Sequence, residues 1–104
     1  MVYFISNGEN IKIGYTSQDV EKRLHQLNTG SDTNLYLLGY IQGTKETEKY
    51  LHQKFGNLRI RQNAEWFRPS DELLDYINDN SERPNTFISN MGGQIMVYKI
   101  MRCI

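Results

Sequence analysis

A chain of 104 residues is one domain by size, with room for a single core and no second large module. Twelve Lys+Arg balance twelve Asp+Glu, which excludes attachment to DNA or membrane through bulk positive charge alone. A hydrophobic content of 38%, with 12% aromatics and two prolines, excludes a disordered tail, and the lone Cys103 excludes both a disulfide framework and a cysteine-rich zinc site.

No apolar run approaches the length that spans a bilayer. The opening Met-Val-Tyr-Phe-Ile lacks the basic region and long apolar stretch of a signal peptide. The expectation is a cytoplasmic protein with no membrane partner.

Residues 2–5 and 11–15 are β-prone, and Asn7-Gly8 between them is a strong hairpin signal. In the second run Ile11 and Ile13 point to one face and Lys12 to the other. Thr16 and Ser17 then offer helix caps, and Val20, Leu24 and Leu27 form an i, i+4, i+7 stripe. That stripe leaves Lys22, Arg23 and Gln26 on the other faces of a helix ending near Gly30. Residues 34–41 read as a third, mostly buried strand.

Gly43-Thr44 opens a second helix running to Phe55, with Thr47, Tyr50, Leu51 and Phe55 as core positions. Glu48 and His52 lie four apart and so share a helical face. Residues 58–61 alternate apolar and basic, which predicts a short strand with Arg59 and Arg61 on one side. Trp66-Phe67 close the core, and Pro69-Ser70 start a third helix with Leu73, Leu74 and Ile77 as its stripe. The last twenty residues read as strand, turn, strand, and Phe87-Ile88-Ser89-Asn90 repeats Phe4-Ile5-Ser6-Asn7.

The order hairpin, helix, strand, helix, with Tyr3, Lys12-Ile13-Gly14, Arg23 and Glu48 at their positions, resembles the GIY-YIG endonuclease superfamily. The second motif keeps Ile-Gly but carries Lys12 in place of its tyrosine. Five pieces in order most resemble the phage-type branch that includes meiotically up-regulated gene 113-like domains. They are residues 11–16, 20–24, 26–30, 48–52 and 65–67, and the resemblance covers about residues 1 to 78.

The resemblance implies an α/β (α+β) fold: an antiparallel three-stranded sheet with flanking helices over residues 1–83. Residues 84–104 form a C-terminal hairpin-like extension. It also implies a DNA endonuclease that uses one divalent cation, Mg2+ or Mn2+. Glu48 becomes the metal ligand, Arg23 the phosphate clamp and Tyr3 the residue that orders the water. Arg suits a phosphate because its planar fork makes two parallel hydrogen bonds and stays charged.

A lysine is protonated at neutral pH, so Lys12 serves as a second phosphate cation. Water activation then passes to the metal or to Tyr15, although Tyr15 has the opposite strand parity. His52 is a further candidate, because histidine changes charge near neutrality.

Residues 1–62 hold eight Lys+Arg against six Asp+Glu, while residues 63–104 hold four against six. This mild polarity permits a phosphate-tracking face built from Lys22, Lys45, Lys49, Arg59 and Arg61. Each assignment has a plain structural competitor: Arg23 and Glu48 as solvated charges, Tyr3 as a strand aromatic, His52 as a packed helix residue. Two other readings use the same residues. One is a catalytically silent nucleic-acid-binding module. The other is a module that forms a homodimer through its apolar tail, where Ile95-Met96-Val97 would be a poor exposed edge.

Overall fold

The computed structural model describes residues 1–29, 34–61, 65–82, 86–91 and 94–99, the last two segments through their backbone alone. Strands β1 (Val2–Ser6) and β2 (Ile11–Tyr15) form the expected antiparallel hairpin. Ser6 pairs with Ile11, so the loop holds residues 7–10. Asn7 Oδ1 accepts from the N–H groups of Glu9 (3.0 Å) and Asn10 (2.8 Å), and Gly8 takes the positive φ of 97°. The Asn-Gly pair thus supplies both an acceptor for the loop amides and the left-handed residue the turn requires.

Helix α1 (Val20–Thr29) follows. Its first N–H groups are capped by Asp19, whose Oδ1 accepts from Glu21 N at 2.8 Å and Lys22 N at 3.2 Å. The caps expected at Thr16 and Ser17 are therefore displaced: Thr16 instead closes its own turn, accepting from Gln18 N at 3.0 Å. Aspartate is the better cap here, since its charge also complements the helix N-terminus.

Strand β3 (Tyr36–Ile41) starts two residues later than expected and flanks β1 with an irregularity at Phe4/Ile5. Helix α2 (Lys45–Lys54) is bracketed by Thr44 and Thr47: Thr44 Oγ1 accepts from Glu46 N, and Thr47 Oγ1 accepts from Thr44 N at 3.1 Å. Leu51 and Phe55, one turn apart, are fully buried. Tyr50 is not a core residue, being 58% exposed. Its neighbour Leu51 fills the core-facing position, which turns Tyr50 about 100° away on a helix of this pitch.

The sheet has four strands, ordered β3-β1-β2-β4 and antiparallel throughout, where the sequence suggested three. The added strand is β4 (Trp66–Phe67), pairing with Lys12 and Ile11. Residues 58–61 do not form the expected strand: the chain makes a 3-10 turn at Gly56–Leu58, and Arg59 contributes a single bridge to Phe67. The alternation is real, but a tight turn consumes its first residue, leaving too little extended chain for a ladder.

Helix α3 (Asp71–Asn80) is capped by Ser70, whose Oγ accepts from Leu73 N at 3.2 Å, and it buries Leu73, Leu74 and Ile77 as expected. Strands β5 (Thr86–Met91) and β6 (Gln94–Lys99) pair as a separate antiparallel two-stranded sheet. Their expected turn and the side chains of the expected dimer arm lie outside the described residues.

The sheet divides the core in two. Val2, Phe4, Ile11 and Ile13 face α2 and α3, packing with Leu51, Phe55, Phe67 and the α3 stripe. Tyr3 and Ile5 face α1 and pack with Val20, Leu24 and Leu27. Strand alternation thus commits each hairpin side chain to one helix layer or the other.

Candidate functional site

The expected site residues fall into three neighbourhoods. Tyr3 and Arg23 belong to the α1 layer. Tyr3 is 2% exposed, and its ring lies over Gly14, its cross-strand partner. Only glycine leaves that space open, which gives the Gly of the second motif a packing reason. Arg23 is half-buried on α1, and its guanidinium donates to Gln26 Oε1 at 3.4 Å. Lys22 is exposed one residue earlier.

Glu48 and His52 stand on α2, as their spacing predicts. Both ring nitrogens of His52 are engaged: Nε2 lies 2.8 Å from the carbonyl oxygen of Ile13, and Nδ1 lies 3.1 Å from Arg59 Nη2. A carbonyl can only accept and a guanidinium can only donate, so Nε2 carries the proton and Nδ1 offers its lone pair. The ring is therefore neutral in this arrangement and also packs on Phe67, 5.1 Å between centroids. It acts as a bracket joining α2, β2 and Arg59, and its lone pair is already committed.

Lys12 lies on the α1 face of the sheet, beside Trp66 of the edge strand β4. It shares a strand face with Gly14, and its ammonium pairs with the Glu65 carboxylate at 3.4 Å. The Glu65 carbonyl accepts from Ile13 N at 3.1 Å, which ties the segment before β4 to the same point on β2. Along the chain Glu65 opens the 65–67 piece of the family resemblance, but its ion-pair partner Lys12 lies more than fifty residues away.

Electrostatics link Glu48 to this pair. The Glu48 carboxyl is held above the usual glutamate range, first by burial and next by the negative charge of Glu65; His52, Lys45 and Lys12 pull the other way. Glu48, Glu65 and Lys12 therefore share one field, arranged around β2 where β4 covers only two residues. Tyr15 packs against the main core, on the α2 side of the sheet, opposite Tyr3 and Lys12.

Beyond His52 the surface opens into a groove of about 600 Å³, lined by Lys49, His52, Gln53, Arg59, Ile60 and Arg61 among others. No acidic residue lines it among the described residues. It unites three of the five cations expected to track phosphates; Lys45 stands exposed at the first turn of α2 and Lys22 on α1.

Among the described residues, no group of three or more His, Cys, Asp or Glu is placed to hold a metal ion. Nor is any helix of the described residues long and apolar enough to cross a membrane. No curated protein and no solved structure matches the chain. Residues 1–81 match the T5orf172 domain, a span ending just after α3 and containing Tyr3, Lys12, Arg23, Glu48, His52 and Glu65. The chain thus belongs to the T5orf172 domain family, a GIY-YIG-like, nuclease-associated domain.

Proposed function

We propose that the protein is a divalent-metal-dependent DNA endonuclease of GIY-YIG type. The observation that supports this best is the match of residues 1–81 to a nuclease-associated family, a span that holds Tyr3, Lys12, Arg23 and Glu48, with Glu48 in the field of the Lys12–Glu65 pair. Burial and mutual repulsion both oppose the charge on Glu48, a situation that a divalent cation relieves. Such a donor set fits magnesium, which is held by one or two carboxylates and completes its shell with water and substrate oxygens. Glu48 is the residue we assign to hold it, with the charge of Glu65 acting on the same carboxylate. When bound, the cation supplies positive charge to a phosphodiester as negative charge builds on its oxygens.

The remaining roles belong to side chains. Arg23, loosely held by Gln26, grips the phosphate, and Lys12 adds a second cation to the same developing charge. Tyr3 shares the face of Lys12 and orders the attacking water. Tyr15 lies across the sheet from both, on the α2 side with Glu48, so activation of that water would fall to the cation.

The test is cleavage of plasmid and branched DNA with Mg2+ or Mn2+. Nicking should be abolished in Arg23→Ala and Glu48→Ala; activity surviving in both variants overturns the proposal.

A second reading is a nucleic-acid-binding domain without catalysis. It is favoured by the ion pair that Lys12 makes at the position of the second-motif tyrosine, together with the cationic groove. DNA binding with no nicking in any divalent cation would select it.

A further inference from the structure

We infer that the groove beside α2 binds a backbone phosphate of DNA away from the reacting bond, with Arg59 as its ligand-binding residue and His52 as the residue that positions Arg59. This deepens the proposed action on DNA and rests on that reading.

Three features support the assignment. The groove brings Lys49, Arg59 and Arg61 together, with no acidic side chain among its described lining residues. Second, Arg59 is fixed before any ligand arrives: its Nη2 sits 3.1 Å from His52 Nδ1, and its guanidinium lies 5.9 Å from the centre of the Phe67 ring. Exposed Lys49 and Arg61 must surrender rotamer freedom to hold an anion, whereas a guanidinium already held in place loses less.

Third, His52 is anchored on its far side by the Ile13 carbonyl, so the arginine is referenced to the central hairpin that carries Lys12. The groove starts at His52, one helical turn beyond Glu48 on α2 and bonded to the neighbour of Lys12 in the chain. Ile60, 42% exposed on the groove wall, offers an apolar surface to a sugar. The recognition is of phosphate and shape and carries no base sequence.

The experiment measures binding of the full chain to a fluorescently labelled mixed-sequence duplex in EDTA, across a salt series. Arg59→Gln should weaken binding about tenfold and reduce the slope of log K against log salt by about one. Arg59→Lys keeps the charge, so it should preserve the slope while still weakening binding several-fold. His52→Ala should behave like Arg59→Lys. His52→Gln, whose amide carries both a donor and an acceptor, should restore binding to near wild type.

Binding within twofold of wild type in both Arg59 variants overturns the inference. So does a loss in His52→Ala that His52→Gln fails to restore while melting curves show both variants folded. If His52→Ala does not fold, the Arg59 pair decides alone. Cleavage is scored separately. If the groove variants weaken binding and the wild type never nicks DNA, this site is upheld and the endonuclease is defeated. Normal binding and nicking by the groove variants does the reverse. A wild type that binds no DNA defeats both.

Discussion

Tyr3 lies across Gly14 so closely that a Cβ added to the glycine would stand 2.7 Å from the tyrosine Cε1, and nearer still to Cζ. The ring is packed under α1 and cannot swing away without disturbing Val20 and Leu24. Gly14→Ala should therefore destabilise the fold by about 1–3 kcal/mol, as overpacked core sites do. Urea denaturation reads this directly, and Tyr3→Leu should recover part of the loss in the double variant. Additive costs in that pair would show that the two residues do not collide.

The Thr44 cap sets where α2 begins and hence where Glu48 stands. Thr44→Ala removes the acceptor for Glu46 N and should cost about 1 kcal/mol. Thr44→Ser should retain most of the stability, since the hydroxyl is what the helix uses. Chemical denaturation of the two variants side by side separates these outcomes.

A carboxyl group whose folded pKa is raised binds protons more readily in the folded state than in the unfolded chain. Stability from Glu48 is therefore lost as pH rises from the ordinary glutamate value of 4.5 through the raised folded value. Replacement by Gln should flatten that decline, leaving the variant at least as stable as wild type at neutral pH. A melting series across acidic to neutral pH tests this; a steeper decline in Glu48→Gln would contradict it.

The same carboxylate gives a metal-dependent readout that needs no substrate. A divalent cation bound only by the folded state raises the melting temperature with its concentration. Mg2+ or Mn2+ should do so for wild type and fail to do so for Glu48→Gln. Equal shifts in both proteins would remove Glu48 as the ligand.

Lys12 separates stability from function. Its partner Glu65 is half exposed, so the ion pair contributes under about 1 kcal/mol, and Lys12→Met should melt near wild type. Nicking should nevertheless fall by at least about tenfold if the ammonium meets the phosphate. Unchanged nicking by a folded Lys12→Met would confine the lysine to its ion pair.

Elements whose cause is local are legible in the chain itself. Ser70 and the Leu73, Leu74, Ile77 stripe define α3 within eight residues, and Asn7-Gly8 defines the hairpin in the same way. Features decided at a distance are not. Strand β4 is too short to show periodicity and exists because β2 is there to receive it. Tyr50 reads as a core residue by type, yet Leu51 beside it already holds that position. The candidate site divides the same way. Sharing of a face by Glu48 and His52 follows from helical spacing, but the bonds of His52 to Ile13 and of Lys12 to Glu65 join segments that no local pattern connects.

The bond from His52 to the Ile13 carbonyl also bears on how this domain meets other chains. At Ile13 both outward backbone groups are spent, the N–H on Glu65 and the C=O on a side chain. At the far margin, Tyr40 exchanges both of its groups with Glu82. A β-sheet left open at its margins invites strangers to extend it. On the outer strands, β3 is bridged at Tyr40 by Glu82 and the short β4 is bridged at Phe67 by Arg59, so among the described residues a foreign strand finds an interrupted ladder on either side.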